Sequence, residues 1–292
     1  MTDRIIEISE TAAGLSLENG LLKASIPGRD PLSVPVAEIQ CLILANPAIR
    51  ISAALLAALA DSKAVVLISG PNRIPAAMQL PLTGNYLQTE RFHAQINAPK
   101  PLFKRLWQIV VKAKIAKQAD LLMELNGEDS GLRMLIPKVA SGDPQNVEAR
   151  AAAIYWKHLF GTPFVRDRAA SDSNILLNYG YSVLRAMTAR ACCAAGLHPT
   201  IGINHHNRYD PFCLADDLME PFRPVVDRAV RALNPDNREV VELTASLRKE
   251  ILSALLEKQR TDSGMWDLTD LLRISAEQTA RSFQTGEISL RY

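Results

Sequence analysis

Residues 203–224, INHHNRYDPFCLADDLMEPFRP, place two adjacent histidines, His205 and His206, ahead of three acids, Asp216, Asp217 and Glu220, with Arg223 just beyond. Imidazole nitrogen and carboxylate oxygen make a borderline-to-hard ligand set, suited to Mg2+ or Mn2+ and poorly suited to metals that prefer thiolate. On a helix, Asp217 and Glu220 share a face. Two readings stand side by side: a divalent-cation site, and a solvated helix start preceded by a pair of loop histidines. A site needs a ligand from elsewhere, and Glu148 is the best candidate. Asp143-Pro144 has the form of a helix start, with the acid capping and the proline at the first helical position. That puts Glu148 in the second turn, on the face of Ala151, Ala152 and Tyr155, where small alanines leave room beside the carboxylate. The alternative is an exposed helix glutamate beside Arg150.

The elements that must position these groups fall into two blocks. Residues 4–9, 14–17, 21–26 and 34–44 are β-branched and partly alternating, with Asn19-Gly20 a strong hairpin signal. Residues 52–62 form a helix with a serine cap, 64–69 a buried strand, and 74–82 a last strand or linker. From residue 85 the pattern turns helical, over 86–97, 104–125, 146–160, 175–195, 214–233, 239–257 and 268–283. The expectation is an α+β multidomain chain: an N-terminal β-sandwich domain over 1–84, a linker and first helix over 85–98, and a mainly α-helical catalytic domain over 99–292.

The net charge of +2 hides an uneven spread: Lys and Arg against Asp and Glu number 6 to 8 over residues 1–90 but 13 to 7 over 91–168. Lys104, Arg105, Lys112, Lys114 and Lys117 lie on a predicted helix whose other face is apolar, so the candidate partner is a polyanion, or else the face is simply solvated. Arg166 and Arg168, in a loop around Asp167, and Arg223 are further candidate phosphate contacts; Arg223 equally suits balancing the acidic cluster. Asn174 and Asn178 read as structural, Tyr179 and Tyr181 as core or interface aromatics, and His93, His158 and His198 as isolated.

Cys41, Cys192, Cys193 and Cys213 have no C-x-x-C spacing and read as reduced core residues of a cytoplasmic protein. The N-terminus lacks a signal-peptide pattern and no apolar run is long enough to cross a bilayer. The ligand set alone would also suit a metal-dependent hydrolase of a small molecule, but the basic 91–168 region and the absence of a glycine-rich nucleotide loop argue for a polymer substrate; a non-catalytic DNA-binding or scaffold protein is the other rival.

Three separated stretches, VEARAAAIYWKHLF at 147–160, SDSNILLNYGYSVLRA at 171–186, and GINHHN followed by LADDLMEPFRP within 202–224, resemble the Cas-one family. This is the CRISPR-associated endonuclease and integrase of spacer acquisition, and the last motif is similar to the branch found beside single-effector, type II systems. The resemblance implies a metal-dependent DNA integrase with a β-sandwich followed by a helical catalytic domain. It implies that Glu148, His205 and Glu220 are the catalytic metal ligands, with Mg2+ or Mn2+ as cofactor, His206 the alternative imidazole, and Asp217 coordinating through water or orienting the site. Many members carry glycine where this chain has Ala149 and aspartate where it has Glu220; neither change removes a ligand oxygen. The implied partners are double-stranded DNA, as spacer precursor and CRISPR repeat, and a second small adaptation protein. That protein bridges homodimers, joined through the β domain, into a heterohexamer. The type II effector nuclease and an accessory adaptation protein are further expected partners.

Overall fold

The computed structural model describes residues 4–9, 13–28, 30–70, 74–167 and 169–292. Its first part comprises β1 (Arg4–Ile8), β2 (Gly14–Glu18), β3 (Leu21–Ser25), β4 (Leu32–Pro35), β5 (Ile39–Leu44), β6 (Arg50–Ile51), α1 (Ala53–Asp61), β7 (Val65–Ser69) and β8 (Pro75–Gln79). Asn19 and Gly20, both at positive φ, turn β2 into β3 with Glu18 opposite Leu21, as the dipeptide demands. Ser52 caps α1 by accepting from the Leu55 amide.

Two four-stranded sheets result, β4-β3-β2-β6 and β1-β5-β7-β8. The second is mixed: β1, β5 and β7 run parallel and β8 returns antiparallel. Its faces serve two cores. Leu42, Leu44 and Val66 point into the core between the sheets, whereas Cys41, Ile43, Val65 and Leu67 join the core of the helices. Burial on both faces is why β5 and β7 read as nearly unbroken apolar runs.

The helical part comprises α2 (Gln88–Asn97), α3 (Lys100–Asn126), α4 (Val147–Phe160), α5 (Ser173–Ala194), α6 (Cys213–Met219), α7 (Arg223–Leu233), α8 (Ala245–Leu256), the hairpin β9 (Lys258–Thr261) and β10 (Gly264–Asp267), and α9 (Leu268–Thr285). α5 runs through the middle, touching α6, α7, α8 and α9 on one side and β7 on the other. A buried polar knot ties the parts together: Glu7 of β1 accepts from Tyr179 Oη at 2.5 Å and from Arg248 Nε at 2.7 Å. Tyr179 is thus a core aromatic, as expected.

Three helical expectations change. The helix expected over 214–233 is broken into α6, a 3-10 turn at Glu220–Phe222, and α7. Pro221 and Pro224 have no amide to continue the ladder. The helix expected over 239–257 begins only at Ala245, where Thr244 caps the Leu247 amide. Residues 258–267, read as neither helix nor strand, form the β9-β10 hairpin. All four cysteines are free thiols, Cys193 half-buried and the others buried. Burial pushes the Cys41 thiol up to about 12. Among the described residues, no helix is long and apolar enough to cross a membrane.

Candidate metal and nucleic-acid site

The break after α6 sets the first functional side chain in place. With the helix interrupted at Pro221, Glu220 turns inward and is only 4% exposed. Glu148 reaches the same place from α4. Asp143 does cap that helix, its two carboxylate oxygens accepting from the Val147 and Glu148 amides at 2.9 Å each. Pro144, however, is not the first helical residue. Asp143 and Asn146 are both left-handed, the helix starts at Val147, and Glu148 lies in the first turn rather than the second.

Between the two carboxylates stands Lys114, from the middle of α3. Its Nζ lies 2.6 Å from Glu148 Oε1 and 2.7 Å from Glu220 Oε2. Arg223 Nη2 holds the other Glu220 oxygen at 3.0 Å. Burial would raise the Glu220 carboxyl, but Arg223 and Lys114 outweigh it and hold the group down at about 2. Burial likewise works against the Lys114 ammonium, and Glu220 and Glu148 overcome it. Glu220 Oε2 receives charge from Lys114 without a properly directed hydrogen bond, leaving a buried carboxylate oxygen with coordinating capacity to spare.

His205 sits on the loop before α6, and Asp217 determines how it is presented. Asp217 is fully buried and accepts from the amides of Ile203 at 2.5 Å, Asn204 at 2.9 Å and His205 at 3.4 Å. The same carboxylate takes His205 Nδ1 at 2.5 Å. That bond commits Nδ1 as the proton-bearing nitrogen and leaves the Nε2 lone pair available. The hydrogen bond to Asp217 raises the imidazole pKa against the opposing effect of burial, and Glu220 adds to the rise. Trp107, on the same helix as Lys114 and two turns before it, meets His205 edge-to-face with ring centroids 5.7 Å apart. His206 is exposed.

Gly202 makes this loop possible. A Cβ there would lie 2.3 Å from the His205 carbonyl oxygen and 2.9 Å from Asp217 Oδ2. Backbone and a buried carboxylate cannot give way, so Gly202→Ala should displace His205 and weaken whatever that imidazole holds at least about tenfold, the scale of losing a group that orients a ligand. Unchanged binding in this variant would show that the loop geometry is not required.

Two carboxylates and an imidazole suit a hard divalent cation. Among the described residues, no three such side chains converge as a ligand cluster: Glu148 and Glu220 meet around the Lys114 ammonium, while His205 is held by Asp217. The three acids of the 203–224 stretch have separate roles. Asp216 is taken by Arg185, whose Nε and Nη2 reach its two oxygens at 2.6 and 2.5 Å. Asp217 holds the loop, and Glu220 faces Glu148.

Of the candidate phosphate contacts, Lys104 and Arg105 are exposed on α3, while Lys112 and Lys117 are half-buried. Lys114 is set apart from them, because two carboxylates engage its ammonium. Arg223 is likewise engaged with Glu220 and lies over the Tyr181 ring, 4.6 Å from its centroid. Arg166 is held by Asn174 and Asn178, each accepting at 2.7 Å; Asn174 also satisfies neighbouring backbone, accepting from the Asp167 amide and donating to the Val165 carbonyl. Arg168 lies outside the described residues. Arg166, Arg185 and Arg223 line a cavity of about 250 Å³ against Pro75 of β8. It adjoins a smaller one of about 130 Å³ lined by Lys114, Gln118, Glu220 and Asp227.

Asp227 was not singled out by the sequence. It accepts from Tyr155 Oη at 2.6 Å and from Tyr181 Oη. Burial pushes its carboxyl up to about 6 despite these bonds. The unfolded chain releases this proton near pH 4 and the folded chain holds it to about pH 6. This group's contribution therefore makes the fold less stable as pH rises across that window, by about 3 kcal/mol, with no further change above it. Asp227→Asn should flatten that slope in melting temperatures measured from pH 4 to 7; an unchanged slope would assign the effect elsewhere.

Residues 6–257 match the family described as CRISPR associated protein Cas1. A CRISPR-associated endonuclease Cas1 from Neisseria meningitidis serogroup C (strain 8013) is 37% identical over 225 residues, covering 76% of this chain and 74% of that protein. Among solved structures, a casposase bound to integration product is similar with a TM-score of 0.79 at 19% identity, covering 100% of this chain and 93% of the other. A chain of a Cas6-RT-Cas1–Cas2 complex gives 0.75 at 18% identity, covering 99% of this chain and 36% of that one. The structural likenesses show a common fold; the family match over most of the length, with the Neisseria relative, shows that this chain belongs to the CRISPR-associated Cas1 family.

Proposed function

We propose that this chain is a divalent-metal-dependent DNA integrase and endonuclease that inserts fragments of foreign DNA as new spacers into a CRISPR array. One observation carries the reading: Glu148 and Glu220, from distant parts of the sequence, meet at a single cation position, with His205, aligned by a buried carboxylate, within electrostatic reach of Glu220. Glu148, His205 and Glu220 would hold Mg2+ or Mn2+, which when bound supplies neutralisation of charge on the phosphorus oxygens and on the leaving oxygen.

The chain's own groups do the rest. Asp217 keeps His205 in the tautomer that leaves Nε2 available. Arg166 and Arg223 line the cavity and provide positive charge there, where a phosphodiester can be received. A 3′-hydroxyl of the incoming DNA attacks a phosphodiester at the repeat end, and the new phosphodiester replaces the broken one while the displaced strand leaves with its own 3′-hydroxyl. Water in place of the attacking hydroxyl gives cleavage instead, so one site serves both reactions. The printed names of the relatives, an endonuclease and a casposase on its integration product, support this reaction class. The Cas6-RT-Cas1–Cas2 complex supports Cas2 as the second adaptation protein; its bridging of homodimers into a heterohexamer is part of the proposal.

The test is to incubate the purified chain and its partner protein with a 3′-hydroxyl duplex and a repeat-containing target. Joined products with Mn2+ and none with chelator are expected. Joining that persists in chelator, or DNA binding without joining under any divalent ion, would leave a non-catalytic scaffold as the better reading. Affinity should rest mainly on phosphates. If Lys104, Arg105, Lys112, Lys117 and Arg166 contribute about five contacts, binding falls roughly 500-fold between about 50 and 200 mM salt. A flat titration in a filter-binding or anisotropy assay would contradict the electrostatic reading.

A further inference from the structure

We infer that Lys114 is a built-in counter-cation of the Glu148–Glu220 pair, and that a divalent ion entering the site has to displace its ammonium. The inference rests on the reading of those carboxylates as metal ligands and goes beyond it, because it assigns a role to a residue outside the ligand set.

The geometry is specific. A single ammonium touches both carboxylates, at 2.6 and 2.7 Å, and the Lys114 side chain is only 11% exposed. Glu220 is also buried, and its second neighbour, Arg223, is committed to the opposite oxygen. Without Lys114, two carboxylates would face one another across a space poorly reached by water, and like charges in such a setting repel strongly. The lysine therefore holds the two ligands at a common point before any ion is there.

The same arrangement opposes the ion. An ion shared by Glu148 and Glu220 and an ammonium shared by them compete for the same oxygens, and their like charges exclude one another. Lys114 can move aside, for the cavity of about 130 Å³ next to Glu220 is lined by the lysine itself and by Gln118 and Asp227. A flexible ammonium suits a cation that must come and go, where a planar guanidinium would hold both carboxylates in a fixed fork. Lys114 is thus a positioning residue. It lowers affinity for the free ion, so that stable loading depends on added negative charge, such as a phosphate brought in with DNA.

Calorimetric titration with Mn2+ alone decides the point, comparing wild type, Lys114→Met, Lys114→Arg and, as a control for the ligand set, Glu220→Gln. Lys114→Met should bind Mn2+ at least about tenfold more tightly than wild type, Lys114→Arg should bind no better than wild type, and Glu220→Gln should lose binding. Equal or weaker binding by Lys114→Met, with Glu220→Gln still impaired, overturns this inference alone. Absence of Mn2+ binding by both wild type and Lys114→Met overturns the metal reading and this inference with it. Should Lys114→Met fail to fold, nitrogen-detected lysine ammonium NMR of the wild type answers the same question. A slowly exchanging Lys114 signal, lost or shifted on adding Mg2+, is expected, and a signal unmoved by saturating Mg2+ overturns the displacement.

Discussion

Glu220→Gln should reduce strand transfer by at least about 10³-fold, the scale of loss when one member of a catalytic set acting as a unit is removed. The amide keeps the shape of the side chain but not its charge, and Arg223 and Lys114 both lean on that charge. Glutamine is the informative substitution. Alanine would strand two buried cations, and removing one partner of a buried ion pair costs about 3–5 kcal/mol, so an inactive Glu220→Ala protein would confound chemistry with unfolding. Rates of joined-product formation, read beside the melting temperature, separate the two. Near-normal joining by a folded Glu220→Gln protein would remove Glu220 from the ligand set.

The second large effect concerns a residue that touches no substrate. Asp217→Asn should weaken Mn2+ binding and strand transfer by about 10- to 100-fold, as changes behind a metal-binding histidine do. It should also lower stability by about 1–3 kcal/mol, because an amide nitrogen would face donors that a carboxylate now satisfies. Those donors are the amides of Ile203 and Asn204 and the imidazole of His205. His206→Ala is the matched control and should change joining less than about twofold, since His205 is the imidazole that Asp217 holds. The reverse outcome, a silent Asp217→Asn and an inactive His206→Ala, would make His206 the ligand.

The sequence went furthest where local chemistry decides the structure. Asn19-Gly20 predicted its hairpin, Ser52 its helix cap, and the run after Asn85 its helices. Strand direction was not legible, because β5 and β7 are buried on both faces and an unbroken apolar run does not say whether its neighbours run parallel. The break at Glu220 was signalled by Pro221 and Pro224, yet the apolar spacing on either side hides it.

At the site, the pairing of Glu148 with Glu220 was reachable through the family resemblance, while the acids alone gave only a cluster. Asp216 and Asp217 are neighbours in sequence, and only the fold shows that one serves Arg185 and the other His205. Lys114 was misplaced for a clear reason. It shares α3 with Lys112 and Lys117, and a lysine among lysines on an amphipathic helix looks solvated. The signal that could have singled it out is its setting near Val110, Val111, Ile115 and Gln118, all buried, which places an ammonium on the inward face of α3.

The most direct test is anomalous diffraction from crystals soaked in Mn2+ with a short DNA end. The account predicts one strong peak about 2.1 Å from the carboxylate oxygens of Glu148 and Glu220 and from His205 Nε2, with the Lys114 ammonium moved away from both acids. A peak lodged elsewhere, or both glutamates still closed on Lys114 at saturating Mn2+, would contradict it.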